Sequence, residues 1–489
     1  MRECEEENNV LFNSFAFAIF LPIVFILYWF MPHKYRWFFL LISSYYFYMS
    51  WNPTYIILIF GTTVISYLAA IGIENTMNQM TKRLFLIGVV IVSLGTLFVF
   101  KYLNFCLVSL GELLKVFSIQ WSPFTLDLLL PVGISFYTFQ TMSYVIDVYR
   151  GETKAEKHFG YYATFISFFP QLVAGPIERT NSLLPQIQRE QKFIYEKASD
   201  GLKLMLWGYY KKIVVADTIA SYVDQVYDNL NDYKGFSLVV VIFFFSTQIY
   251  CDFSGYSDIA IGTAKLLGID LMKNFDVPYL SRSVREFWKR WHISLSTWFR
   301  DYVYISLGGN RCSQFKHSLN LMITFLASGI WHGANWTYVV WGGIHGAAQI
   351  LENTFDIPIR KIKQKKIGQF LAWLMVFVFC NMAWVFFRAQ SISDAIYIFK
   401  NLFAGIWNPV SYFVNGFNAL GISRWVLIYL SLLIGILILI DIVWYKYDVI
   451  ALLGRSNILV RWSCYIIIAL LVVLFSQKGV ATEFVYFQF

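Results

Sequence analysis

Of 489 residues, 58% are hydrophobic and only 14% are charged, against about 45–50% and about 25% in soluble domains. A soluble fold of this length has too little interior for that much apolar surface, which excludes a soluble enzyme, a disordered protein and a disulfide scaffold. The formal charge of +9 then belongs to basic loops on the cytoplasmic face of a bilayer and not to nucleic-acid binding. The expectation is an all-α polytopic membrane protein.

A hydrocarbon core of about 30 Å needs roughly 20 apolar residues per helix. In chain order, clear spans are expected at 11–30, 37–51, 55–73, 84–110, 236–251, 370–387, 425–444 and 462–475. Weaker ones lie at 128–148, 161–173, 202–216 and 319–350 and carry Gly, Pro, Gln or Asp. Irregular polar stretches survive at membrane depth only when buried in protein or lining a wet cavity, so the chemistry is expected mid-chain. The first apolar run lacks a basic leader and a small-residue cleavage site and is expected to stay as a span. Glu3, Glu5, Glu6 and Glu7 precede it, whereas Lys34, Arg36, Lys82 and Arg83 follow the first and third spans. That asymmetry puts the N-terminus outside and those loops inside. The basic run 360–366 reads as a cytoplasmic anchor beside membrane lipids.

The six cysteines are scattered without a C-x-x-C spacing, so neither a disulfide framework nor a metal site is expected. The phosphate-binding loop, the nucleophile elbow and the H-E-x-x-H zinc motif do not occur. Among six histidines, His33, His158 and His317 sit in interfacial or loop surroundings, and His345 lies in a Gly-rich apolar helix where it packs. His332 stands between two apolar runs, in Gly329-Ile330-Trp331-His332-Gly333-Ala334-Asn335. An unpaired polar group at that depth is costly, which makes His332 a functional candidate; a hydrogen-bonded core histidine is the blander alternative. Asn335 follows by three, which on a helix places it on the same face. Gly329 and Gly333 would leave room for a substrate.

His292 lies in 283–299, where Val284, Phe287, Trp288, Trp291, Leu295, Trp298 and Phe299 recur at helical spacing. Arg285, Lys289 and His292 flank that face, so the segment reads as an amphipathic helix at the cytoplasmic interface. Residues 252–258 read as a polar break directly after an apolar run; Asp252 and Asp258 either pair with nearby arginines or bind a cation, and pairing is the expectation. Pro170 and Pro176 break the segment 169–179 into a re-entrant or interfacial turn.

Several segments together resemble the membrane-bound O-acyltransferase (MBOAT) family, in its bacterial alginate O-acetylation branch, with peptidoglycan and, more distantly, teichoic-acid branches also similar. They are Leu11-Phe12-Asn13-Ser14, residues 131–140, 169–179, 252–258 and 291–311, Trp331–Trp336, and the terminal Tyr486-Phe487-Gln488-Phe489. Relatives usually carry Pro where Ser306 stands, and commonly begin with Met where Val10 stands, so Val10 is the expected start. The resemblance implies an MBOAT fold of roughly 11 or more transmembrane helices, with re-entrant and interfacial helices around a central tunnel. It implies a tail at 1–10, a single transmembrane domain over 11–489 and a catalytic core at about 130–350.

The same resemblance makes His332 the catalytic histidine and His292 its second histidine, in an enzyme that moves an acyl group from a thioester to a hydroxyl. His332 is then the general base, and Asn335 an orienter or oxyanion donor. His292 positions the thioester end or relays a proton. Arg285, Lys289 and Arg290 attract the phosphates of acetyl-CoA, the donor; no cofactor is permanently bound and no metal is needed. The acceptor is an extracytoplasmic polysaccharide, alginate-like or a cell-wall glycan. It is reached through an extracytoplasmic partner, a serine hydrolase-like (SGNH) acetyltransferase, across a bacterial inner membrane. D-alanyl transfer to teichoic acid from a carrier protein, and a polysaccharide transporter or flippase, are the other classes.

Overall fold

The computed structural model describes residues 10–122, 124–126, 128–173, 175–355, 365–476 and 484–485. The acidic leader 1–9, residues 360–364 of the basic run and the terminal motif 486–489 lie outside the described residues. Every regular element among the described residues is helical, as α, 3-10 or π turns. The chain folds as two compact units, residues 1–205 with 259–272, and residues 206–258 with 273–489.

The first unit holds α1 (Phe15–Phe30), α2 (His33–Met49), α3 (Ile56–Asn75), α4 (Gln79–Leu97), α5 (Leu103–Val116), α6 (Ile134–Arg150), α7 (Phe159–Ser167), α8 (Phe169–Leu172) and α9 (Thr180–Gln188). Ser14 starts α1 by accepting the Phe17 N–H at 3.1 Å, satisfying one of the donors a helix leaves unpaired at its start. α3 packs on α4 and α6, and α2 on α7 and α8. The break expected at Pro170 is present: α7 ends at Ser167 and α8 begins beside the proline. Two glutamines of the weaker spans pair with each other. Gln171 donates to Gln140 Oε1 at 2.9 Å, and Gln140 donates to the Phe165 carbonyl at 2.9 Å. That is why a glutamine pair persists inside an apolar unit.

α10 (Tyr195–Tyr209) and α12 (Phe236–Leu266) contribute residues to both units. The second unit adds a π-helical turn Tyr210–Ala216, α11 (Asp217–Asp228), α13 (Val284–Arg290), α14 (Ile293–Phe299), α15 (Gln314–His332), α16 (Trp336–Thr354), α17 (Lys366–Arg388), α18 (Ile392–Asn401), α19 (Pro409–Ala419), α20 (Arg424–Trp444), α21 (Val449–Arg455) and α22 (Ile458–Ser476). α15 and α16 form a tight hairpin, with α13 and α17 against α16. A Cβ at Gly342 would stand 2.4 Å from the Phe325 carbonyl oxygen, and one at Gly329 2.3 Å from that of Tyr338. Only glycine lets the two backbones approach this closely.

Among the described residues, six helices are long and apolar enough to cross a membrane, namely Pro53–Asn75, Gln79–Val116, Phe236–Leu266, Lys366–Arg388, Arg424–Trp444 and Ile458–Ser476; α1 is apolar but shorter. The fold is thus all-α and multi-pass. The remaining expected spans correspond to helices that are shorter or more polar, such as α2 and α6 at 17 residues each. The expected span 319–350 is two helices, α15 and α16, parted at Gly333.

Two local expectations need correction. The segment 252–258 does not interrupt its helix, because α12 runs through it. Its carboxylates do pair, but with lysines and not with arginines: Lys212 Nζ lies 2.7 Å from Asp252 and Lys211 Nζ 2.6 Å from Asp258. Residues 283–299 are not one helix either. The seven apolar residues are all buried as the periodicity implied, but the helix breaks at Trp291 and His292, between α13 and α14.

Candidate active site

That break buries a histidine. His292 caps the start of α14 with φ +43° and ψ +55°, a left-handed conformation uncommon for a side chain with a Cβ. It is fully buried, and not on the basic flank. His332, the last residue of α15, is 2% exposed. The two imidazole centroids lie 6.5 Å apart.

Aromatic rings enclose the pair. Trp341 and Phe387 meet the His332 ring edge-on at 5.1 and 5.3 Å. Phe253 meets His292 at 4.6 Å. Trp384 joins the two walls, 5.6 Å from Trp341 and 4.9 Å from Trp291. A water-poor enclosure strengthens every electrostatic interaction within it, and it disfavours an imidazolium: burial pushes the His292 pKa down to about 3. Next to the terminal motif, the Val485 N–H donates to Asp252 Oδ2 at 2.7 Å, and Phe484 packs 5.4 Å from Phe253.

A cavity of about 400 Å³ is lined by residues of α13, α14, α15 and α16, His292 and His332 not among them; its size is within the range of small-molecule sites. Arg285, Lys289, Arg300 and His317 supply basic groups, and Trp288, Leu295, Phe299, Leu321 and Phe325 supply apolar wall. The lining reaches Ser328, about one helical turn ahead of His332 on α15.

A family model described as MBOAT, membrane-bound O-acyltransferase family, matches residues 156–392. The chain is 40% identical over 424 residues to the probable alginate O-acetylase AlgI of Pseudomonas aeruginosa, covering 86% of this chain and 80% of that protein. The chain belongs to the membrane-bound O-acyltransferase family. It is therefore an O-acyltransferase. It is also 36% identical over 430 residues to the peptidoglycan O-acetyltransferase of Helicobacter pylori, covering 80% of each. A teichoic acid D-alanyltransferase of Streptococcus thermophilus is 30% identical over 266 residues, covering 50% of this chain and 62% of that protein.

Of the residues singled out in this MBOAT chain, His292 and His332 come together, and Arg285 and Lys289 share one cavity. Arg290 turns elsewhere, 2.9 Å from Asp276 and 3.1 Å from Glu286, with its guanidinium over the Tyr445 ring. Asn335 does not share a helix face with His332, because α15 ends at His332 and Gly333 is extended. Asn335 caps α16, accepting the Thr337 N–H at 3.1 Å and donating to the Gln390 carbonyl at 2.8 Å. Gly329 and Gly333 leave no substrate space: a Cβ at Gly333 would stand 2.1 Å from the Tyr338 ring. His345 is a core histidine whose Nδ1 accepts the Trp288 Nε1–H at 3.2 Å. Sequence reasoning missed the enclosing Trp341, Trp384 and Phe387, which look like any span aromatics. It also missed Asn274, whose signal is only a polar residue in a polar loop.

Proposed function

We propose that this acyltransferase moves an acetyl group from cytoplasmic acetyl-CoA toward O-acetylation of an extracytoplasmic polysaccharide, in a bacterial inner membrane. The carrying observation is the cavity whose basic groups and apolar wall lead to within a turn of His332. A nucleotide donor with phosphates at one end and an acylated pantetheine arm at the other suits that polarity. Arg285, Lys289 and Arg300 are assigned to the phosphates, and the apolar wall to the arm.

His332 acts as general base. Its neutral imidazole takes the proton of the attacking hydroxyl as that oxygen bonds to the thioester carbonyl carbon. The tetrahedral adduct collapses with loss of the CoA thiolate, which takes the proton back from the imidazolium. His292, on the other side of the gap, holds a reacting group in place. The resemblance to an alginate O-acetylase and a peptidoglycan O-acetyltransferase supports a glycan as the final acceptor. A long charged polymer does not thread into an aromatic enclosure, so an extracytoplasmic serine hydrolase-like partner is assigned to collect the acetyl group.

The test is reconstitution in liposomes with radiolabelled acetyl-CoA on the basic-loop side and glycan on the other. Label should reach glycan only when the partner is added. Efficient glycan labelling without it contradicts the partner assignment. Transfer from an acylated carrier protein with none from acetyl-CoA contradicts the donor assignment, and transport of glycan without thioester cleavage contradicts acyl transfer.

A further inference from the structure

Asn274 is fully buried in the loop ahead of α13. Its carboxamide oxygen lies 3.1 Å from His292 Nδ1, 3.0 Å from Ser294 Oγ and 3.3 Å from the Ser294 backbone nitrogen. A backbone N–H only donates, so the atom facing it is the amide oxygen. The amide nitrogen in turn donates to Ser257 Oγ at 3.2 Å. The hydrogen-bond network therefore settles the orientation of the amide. Since that oxygen only accepts, the imidazole nitrogen facing it carries the ring proton.

The backbone around this contact is laced in place. The Ile293 N–H donates to the Asn274 carbonyl at 2.9 Å, and the Asp276 N–H to the Arg290 carbonyl at 2.9 Å. His292 lies between these two ties in its left-handed conformation. Such strain persists where the surroundings over-determine it, and it gathers at functional sites.

We propose that Asn274 is a positioning residue for acyl transfer, fixing His292 as the Nδ1–H tautomer with the lone pair on Nε2. The catalytic consequence rests on the acyl-transfer reading above; the tautomer does not. A lone pair at Nε2 makes His292 an acceptor. It accepts from an N–H or O–H of the bound donor or acceptor other than the hydroxyl proton that His332 removes, and it does not donate to the thioester carbonyl. The carbonyl or carboxylate that accepts from the other ring nitrogen of many catalytic and metal-binding histidines acts in the same way. Loss of Asn274 should then lower kcat and leave KM for acetyl-CoA nearly unchanged.

The experiment compares Asn274→Leu, Asn274→Asp, His292→Gln and the double variant Asn274→Leu/His292→Gln for acyl transfer from acetyl-CoA. It adds ¹⁵N spectra of the histidine-labelled full chain, with the His292 signals identified by their loss in His292→Gln. Asn274→Leu should lower kcat roughly 10–100-fold. Asn274→Asp, which keeps an acceptor oxygen, should recover most of it. Asn274→Leu should cost nothing further in the His292→Gln background, because the pair acts as a unit. A merely structural asparagine would give an additive loss there. The spectrum should show His292 protonated at Nδ1. Full kcat in folded Asn274→Leu, an additive loss in the double variant, or the proton on Nε2 overturns the proposal. Should Asn274→Leu fail to fold, the activity of Asn274→Asp and the wild-type spectrum decide. Should wild-type protein transfer nothing from acetyl-CoA, the acyl-transfer reading fails, and the spectrum still decides the tautomer.

Discussion

The imidazoles of His292 and His332 stand 6.5 Å apart, centroid to centroid, with their planes tilted by 59°. One is held by a strained break between short helices and the other by the end of α15. A separation of that size brings both rings within reach of the reacting groups of one bound substrate pair. The aromatic walls keep water away from the pair.

Burial lowers the His292 pKa from 6.5 to about 3. Between those values the unfolded chain takes up a proton that the folded chain refuses. The stability contributed is therefore complete above the unfolded pKa and is lost as pH falls through the window, by about 1.4 kcal/mol per pH unit. His292→Gln should flatten the melting temperature between about pH 6.5 and about pH 4.5 relative to wild type. Parallel melting curves for the two proteins would contradict this.

The cavity separates two basic residues from a third. Arg285→Gln and Lys289→Gln should each raise KM for acetyl-CoA by roughly tenfold, about 1.4 kcal/mol of donor binding. Arg290→Gln should leave that KM alone and lower stability by about 1 kcal/mol, since its partners are Asp276 and Glu286. Steady-state kinetics and melting of the three variants check this, and a KM effect confined to Arg290→Gln would reverse the assignment.

The helical hairpin offers a packing test. Gly342→Val places side-chain atoms against the Phe325 backbone, which cannot rotate aside, so a loss of about 1–3 kcal/mol or more is expected. Gly343→Ala is the control: a Cβ there meets only the Leu326 side chain, at 3.7 Å. Equal melting temperatures for the two variants would argue against the close approach of α15 and α16.

What the sequence made legible was set by periodicity and depth. Apolar runs such as 236–251 and 425–444 fall inside α12 and α20, and the buried face of 283–299 was readable because helical spacing survives a two-residue break. The break itself was not readable, because no glycine or proline marks His292; Asn274 enforces it from a loop. Asn335 was misplaced for the opposite reason. Spacing by three implies a shared face only while the helix continues, and Gly333 ends it. Arg290 looked equivalent to Arg285 and Lys289 until Asp276 and Glu286 were seen to claim it.

The most direct measurement is acetyl transfer by purified, folded His332→Ala, with melting and insertion matched to wild type. General-base catalysis contributes about 10²–10⁴-fold, so the rate at saturating acetyl-CoA should fall by at least about 10²-fold. Wild-type transfer by the well-folded variant would contradict it.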